Sequence, residues 1–306
     1  MVPFNLRAWI QASRLPSQSY IAFPLLLGQI LAWHLTGHWD WWIFFLVQAF
    51  GVFDQLYIVY ANDFADQETD RLNNTVTPFS GGSRVLVEEA LSPATLARAA
   101  VTMAILAVAT TVLIAFFWQR YLVIALGLFG IALLWAYSYR PIRLSYRGGG
   151  EFLQTTGVAI VLPLLAYYAQ AGTFAAFPWI LLATLIPLNL ANAISTALPD
   201  IPSDRRSSKS TIPVLLGLVP AQGLIIALHL VGLALFAFLG FPPLEDFGLV
   251  AIAFYGIAVL SALALIPLIP RAKPGENPMV VFVALSILAN LAWVTATAVA
   301  LLHPLF

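Results

Sequence analysis

The stretch WWIFFLVQAFGVFDQLYIVYANDFADQETD, residues 41–70, decides the fold. From Trp41 to Asn62 it carries one charged residue, Asp54. A helix rising about 1.5 Å per residue crosses a hydrocarbon core of about 30 Å over that length. The next eight residues hold four acids, Asp63, Asp66, Glu68 and Asp70. An apolar span that runs straight into a block of carboxylates belongs to a polytopic membrane protein with polar chemistry at one membrane face. Eight more apolar runs surround it, at 17–36, 94–117, 121–139, 152–171, 178–198, 213–238, 248–270 and 279–302. They are continuous and lack the period-two alternation of barrel strands, so the expected fold is all-α, with nine transmembrane helices enclosing a central cavity.

Composition agrees. The chain has 306 residues, 61% hydrophobic and 9% charged, against roughly 25% charged in an average soluble chain. That excludes a soluble domain and a disordered one. There are no cysteines, hence no disulfide, thiolate metal site or catalytic thiol. Net charge is zero and nothing calls for a nucleic-acid partner. The first run is too long for a cleaved signal peptide and no cleavage site follows it. Residues 1–16 mix Phe4, Leu6, Trp9, Ile10 and Leu15 with Arg7, Gln11 and Arg14, which reads as an interfacial amphipathic helix leading into a single domain, 1–306.

The charges sort to one side. Thirteen of the 14 basic residues fall in alternate connections and only Arg120 lies opposite. By the positive-inside rule that side is cytoplasmic, with the N-terminus inside and the C-terminus outside, as nine spans require. This places the protein in the cell membrane. Trp39, Trp41, Trp42, Trp118 and Trp179 form an outer aromatic belt. His34, His38 and His303 lie near the outer face and His229 within a span, none at ligand spacing.

Three cytoplasmic connections are richer than a connector needs. If the second span continues as a helix, Asp63, Asp66 and Asp70 fall within an arc of about 60°. Carboxylates on one stripe repel unless a cation lies between them, and hard oxygen donors at this spacing suit Mg²⁺ shared with phosphate. The bland alternative, a solvated acidic helix end, works against the helix dipole. In the second connection Asp200 and Asp204 stand at i, i+4, although Pro199 and Pro202 make a helix there uncertain, with Arg205, Arg206 and Lys209 following. Acids beside cations suit a metal–diphosphate site; positive-inside decoration is the alternative. The third, Tyr137 to Glu151, carries tyrosines that serve either as interface anchors or as π-faces toward a carbocation. Asp54 lies opposite Asp63 on its helix and reads as structural, as do Asn189 and Asn290; Asn192, two turns from Asp200, is a candidate site residue.

Asn62-Asp63-x-x-Asp66-x-x-x-Asp70 resembles the first signature of the UbiA superfamily of intramembrane prenyltransferases, and Asp200-x-x-x-Asp204 with Lys209 and Thr211 resembles its second. The run from Tyr137 to Glu151 is similar to the pattern of the 1,4-dihydroxy-2-naphthoate polyprenyltransferase branch, which serves menaquinone biosynthesis. The resemblance implies two Mg²⁺ ions on Asp63, Asp66, Asp70, Asp200 and Asp204, holding a polyprenyl diphosphate. It further implies that Asn62 orients the first cluster and that Arg71, Arg84 and Lys209 neutralise phosphate. Tyr137 and Tyr139 then stabilise the carbocation, and Arg14 or Arg143 holds the carboxylate of an aromatic acceptor. Hydroxybenzoate, homogentisate, a chlorophyllide and a lipid remain as alternative acceptors, and a cation-coupled transporter as an alternative class.

Overall fold

The computed structural model describes residues 5–302; His303 and the first four residues of the expected interfacial segment lie outside them. Among the described residues there is no β-strand, only an isolated bridge between Thr77 and Ser80. The chain begins with α1 (Leu6–Ala12), capped by Asn5, whose side chain accepts from the Ala8 amide at 3.1 Å. Ala8 and Ala12 are buried while Leu6 and Ile10 are exposed, as an interfacial helix requires. Arg14, in the left-handed region at φ 43°, turns the chain into a 3-10 segment that continues as α2 (Ser19–Thr36).

Next come α3 (Trp41–Ala65), the short α4 (Gln67–Leu72), α5 (Pro93–Trp118) and α6 (Leu122–Ser138). The α3 cap, Asp40, accepts from the amides of Trp42 and Ile43 and also from Trp118 Nε1 at 2.7 Å, which ties α3 to the far end of α5. A single crossing is built from α7 (Gly150–Thr155), a π-helical turn over Thr156–Val161, and α8 (Leu162–Ala171). Another comprises α9 (Leu181–Ala197), a 3-10 turn and α10 (Ile201–Arg206). The prolines do not end this helix early. Pro199 and Pro202 each open a new helical segment, where the missing N–H was to be unpaired anyway. The chain closes with α11 (Ile212–Leu216), α12 (Leu218–Leu239), α13 (Leu249–Leu263) and α14 (Asn277–Leu302).

Among the described residues eight helical stretches are long and apolar enough to cross a membrane. The remaining expected span, 121–139, is α6, an apolar helix of 17 residues that falls short of those eight in length, so eight of the nine expected spans are found. The bundle pairs α2 with α8, α3 with α5, α9 with α12 and α13 with α14. A side chain on Gly28 would collide with the Pro163 carbonyl, so α2 and α8 touch at their backbones. The interior is filled by residues such as Tyr167, Phe236 and Trp293 on one side and Phe50, Ile114 and Leu165 on the other. Large apolar side chains also point outward; Phe238 and Leu249 are each 85% exposed. Such a surface is stable only against lipid. The two acidic segments meet at one end of the bundle, where Asn73 Nδ2 donates to Asp200 at 2.8 Å and Thr75 Oγ1 to the Pro199 carbonyl at 2.6 Å.

Candidate active site

At the end of α3 the helix breaks. Asp66 is both its last cap and the start of α4, with φ −99° and ψ 11°. The three motif aspartates therefore do not share the continuous stripe expected of an unbroken helix. Asp63 faces the bundle beside the cavity rather than lining it. It is ion-paired with Arg14 and accepts from the Ser83 hydroxyl, with the Ser83 amide at 3.3 Å. Asp66 faces inward and pairs with Lys209 Nζ at 2.7 Å. Asp70 lies against the loop 77–84, where Gly82 has φ +72° and a Cβ added to it would overlap the Asp70 carboxylate. Burial, then Asp63 and Asp66, push the Asp70 carboxyl up to about 7.

The second segment supplies the opposite wall. Asp200 accepts from Asn73 Nδ2 and from the Gly81 amide at 3.2 Å. Asp204 accepts from Thr211 Oγ1 at 3.3 Å, and its carbonyl accepts the Lys209 amide at 2.9 Å. Lys209 is 9% exposed. Burial pulls its pKa down, but Asp66, Tyr137 and Asp204 outweigh burial and hold it above the ordinary lysine value. Arg14 is likewise held charged, because Asp63 and Asp70 outweigh its burial; its Nε is buried without a partner.

These walls enclose a cavity of about 570 Å³. Its mouth is polar: Arg14, Asn62, Asp66, Asp70, Asn73, residues 77–83, Asp200, Asp204, Lys209 and Thr211. Deeper, the lining is largely apolar: Ile21, Ile58, Val59, Leu133, Leu134, Val158, Val161 and Leu162. The π-helical turn supplies Gly157, Val158 and Val161 to this inner wall. Two further acids line the cavity, Asp54 along α3 and Glu151 at the start of α7. Asp54 is 3% exposed with Oδ1 unpartnered, and Glu151 is 4% exposed with Oε2 unpartnered. The helical arithmetic that set Asp54 opposite Asp63 holds, and it places Asp54, expected to be structural, on the cavity lining. Asp54, Ile58, Asn62 and Asp66, four residues apart, form the cavity stripe, and Asp63 is the one turned aside.

The other candidates divide. Tyr137 lines the cavity, whereas Tyr139 packs outside the lining and donates to the Ala61 carbonyl at 2.8 Å. Asn62 lines the cavity and accepts from Ser138 at 3.3 Å. Arg84 clamps the loop by donating to the carbonyls of Asp70 and Asn73. Arg143 lies 3.5 Å over the Tyr146 ring, and Arg71 is exposed at the rim; neither lines the cavity. Asn192 lies apart, accepting from Ser286 in a polar cluster with His229. Sequence reasoning missed Asn73, Ser83 and the inward-facing Glu151. Only Glu151 left a signal, a lone acid opening an apolar run.

The donor set fits Mg²⁺. Among the described residues no three acidic or imidazole groups form a ready-made cage. Mg²⁺ does not require one, since it takes one or two carboxylates and fills its octahedron with water and phosphate oxygens. Hard carboxylates in pairs across an open mouth, with no imidazole or thiolate beside them, are that kind of site.

These features define a helical membrane bundle whose acid- and cation-lined mouth opens onto a largely apolar chamber. Residues 21–288 match the UbiA prenyltransferase family, and the chain belongs to that family. The chain is 25% identical over 199 residues to 2-carboxy-1,4-naphthoquinone phytyltransferase of Synechocystis sp., a match covering 63% of this chain and 59% of that relative. A UbiA homologue from Archaeoglobus fulgidus bound to DMAPP and Mg²⁺ is similar in structure, with TM-score 0.67 and 16% identity over 95% of this chain and 98% of that one. So is a UbiA homologue from Aeropyrum pernix K1, with TM-score 0.65 and 20% identity over 90% and 98%. A digeranylgeranylglyceryl phosphate synthase has TM-score 0.64 and 17% identity over 97% and 99%. At these identities the structures establish the fold.

Proposed function

We propose that this chain transfers a polyprenyl group from its diphosphate to an aromatic acceptor, 1,4-dihydroxy-2-naphthoate, with two Mg²⁺ ions. The observation that carries the reading is the meeting of two acid pairs, Asp66 with Asp70 and Asp200 with Asp204, around one mouth that also holds Lys209 and Arg14. The naphthoquinone relative supports the choice of acceptor, and family membership speaks against the transporter. The thirteen basic residues on the motif side support a mouth open to the cytoplasm, in a cell membrane, with the N-terminus inside.

Asp66, Asp70, Asp200 and Asp204 would hold the metal, with Asp63 behind them orienting Arg14. Bound Mg²⁺ supplies Lewis-acid neutralisation of the departing diphosphate. Lys209 and Arg14 add fixed positive charge at the same mouth, where low dielectric makes each contact stronger than in water. The apolar wall of Ile58, Val59, Leu133, Leu134 and Val158 receives the isoprenoid tail and keeps water from the allylic cation. The Tyr137 ring, at the junction of mouth and chamber, faces the carbon that becomes cationic. Arg14, with Nε unpartnered, holds the acceptor carboxylate.

The test is a competition between acceptors. Membranes containing the protein receive geranylgeranyl diphosphate, Mg²⁺, and dihydroxynaphthoate, 4-hydroxybenzoate and homogentisate together, and products are identified by mass. Prenylated naphthoquinol is expected as the main product; prenylated benzenoid products without it would replace the naphthoate with another acceptor.

A further inference from the structure

Resting on the reading that the acceptor is a hydroxylated aromatic ring, we propose that Glu151 is the residue that takes the acceptor's hydroxyl proton during prenyl transfer. Its two oxygens are treated differently by the fold. Oε1 accepts from the Ile212 amide at 2.7 Å and fastens the start of α11. Oε2 is buried, lines the same cavity and has no partner. A buried carboxylate oxygen left unpaired costs stability unless a ligand completes it.

Its position is the second observation. The diphosphate belongs in the polar mouth and the isoprenoid chain in the apolar chamber, so the allylic carbon that reacts must lie where the two meet. On α3 that junction falls between Val59 and Asn62, and on α6 between Leu134 and Tyr137. Beyond α6 it falls at Glu151, after which the lining continues inward through Leu153, Gly157 and Val158. Gly150 presses against the Tyr137 ring, where an added Cβ would stand 2.9 Å from Cε2, so Glu151 and Tyr137 are neighbours on this rim. Thr211 reaches Asp204 while the next residue, Ile212, reaches Glu151, which sets Glu151 beside the second acid pair but outside it. Lys209 is already committed to Asp66, so the free oxygen of Glu151 has no cation bonded to it.

The step balances. As the ring carbon bonds to the allylic carbon, the C–O bond breaks and its electron pair leaves with diphosphate. The ring hydroxyl gives its proton to Glu151 Oε2, and its oxygen becomes a carbonyl. Loss of the substituent on the attacked carbon, either CO₂ from a carboxylate or a proton taken by the departed diphosphate, returns an electron pair to the ring. The carbonyl oxygen then takes the proton back from Glu151, which is restored.

Glu151→Gln separates the two oxygens. The amide carbonyl still accepts from Ile212, so the clamp survives, while the amide nitrogen takes no proton. In membranes with polyprenyl diphosphate, Mg²⁺ and the naphthoate acceptor, prenylated product should fall by about a hundredfold or more. Mg²⁺-dependent pyrophosphate release should persist by hydrolysis of the donor. An acceptor analogue with electron-withdrawing substituents, already ionised at the assay pH, should recover most of the lost product. The proposal is overturned if Glu151→Gln forms product within about threefold of wild type. It is equally overturned if product and pyrophosphate are lost together and the ionised analogue rescues neither. If the unaltered protein releases pyrophosphate but prenylates no aromatic ring, the acceptor reading itself fails, and this role for Glu151 falls with it.

Discussion

Asp70 and Lys209 show how single residues are set by charges that arrive from distant parts of the chain. Lys209 stays charged in a buried place because Asp66 bonds to it. Asp70 has no such bonded cation, and burial together with Asp63 and Asp66 raises its pKa to about 7. In the metal-free protein the folded state thus holds a proton that the unfolded chain releases in the ordinary carboxylate range. The stability Asp70 contributes is complete below that range and is lost as pH rises through about 7. If Asp70 holds Mg²⁺ as proposed, the ion takes the ionised form, so its binding would expel the proton and weaken as pH falls below about 7. Unfolding midpoints in detergent, measured from pH 5 to 8 with and without Mg²⁺, should diverge progressively toward the alkaline end; parallel curves would contradict this account of Asp70.

Elements were legible in the sequence to the extent that hydrophobicity alone defines them. The run 41–62 became α3 and the run 279–302 became α14 with ends shifted by only a few residues, because lipid demands a length and an apolar surface whatever the partners. The site was less legible. The aspartates of 62–70 carried a readable chemistry, but their facing did not follow from unbroken helical arithmetic, since the helix breaks at Asp66. That break serves contacts with Lys209 and Tyr146, residues that no local window contains. Arg84 was similarly readable as a cation near phosphate, yet its hydrogen bonds go to the carbonyls at the end of α4. The loop 77–84 is the element that holds Asp70, and Gly82 is its closest approach. Gly82→Ala meets both a left-handed backbone, costing roughly 1–2 kcal/mol, and the Asp70 carboxylate. It should raise the Mg²⁺ concentration for half-maximal activity by about tenfold or more, with Gly223→Ala, which has open space around it, as the neutral control.

For the molecule as a whole, the scarcity of charge says only that lipid surrounds it, while the placement of charge says where the chemistry is. Thirteen of 14 basic residues and both acid segments gather toward one end, and the mouth of the cavity opens among them. The absence of cysteine makes the orientation measurable without background. Arg71→Cys, at the rim, should react with a membrane-impermeant maleimide in inverted vesicles and not in intact cells. Thr173→Cys, in the turn after α8, should show the reverse. The opposite pattern would turn the protein over and place the mouth outside.

The central claim is that the two acid segments act together as one Mg²⁺–diphosphate site. The most direct measurement is pyrophosphate release from a polyprenyl diphosphate, with saturating acceptor and varied Mg²⁺, in the unaltered protein and in Asp66→Ala, Asp204→Ala and the double variant. The account predicts Mg²⁺-dependent release in the unaltered protein. Each single variant should lose about a hundredfold or more, and the double variant should lose little beyond the singles, because the segments serve one site. Release by the double variant at the unaltered rate would contradict it.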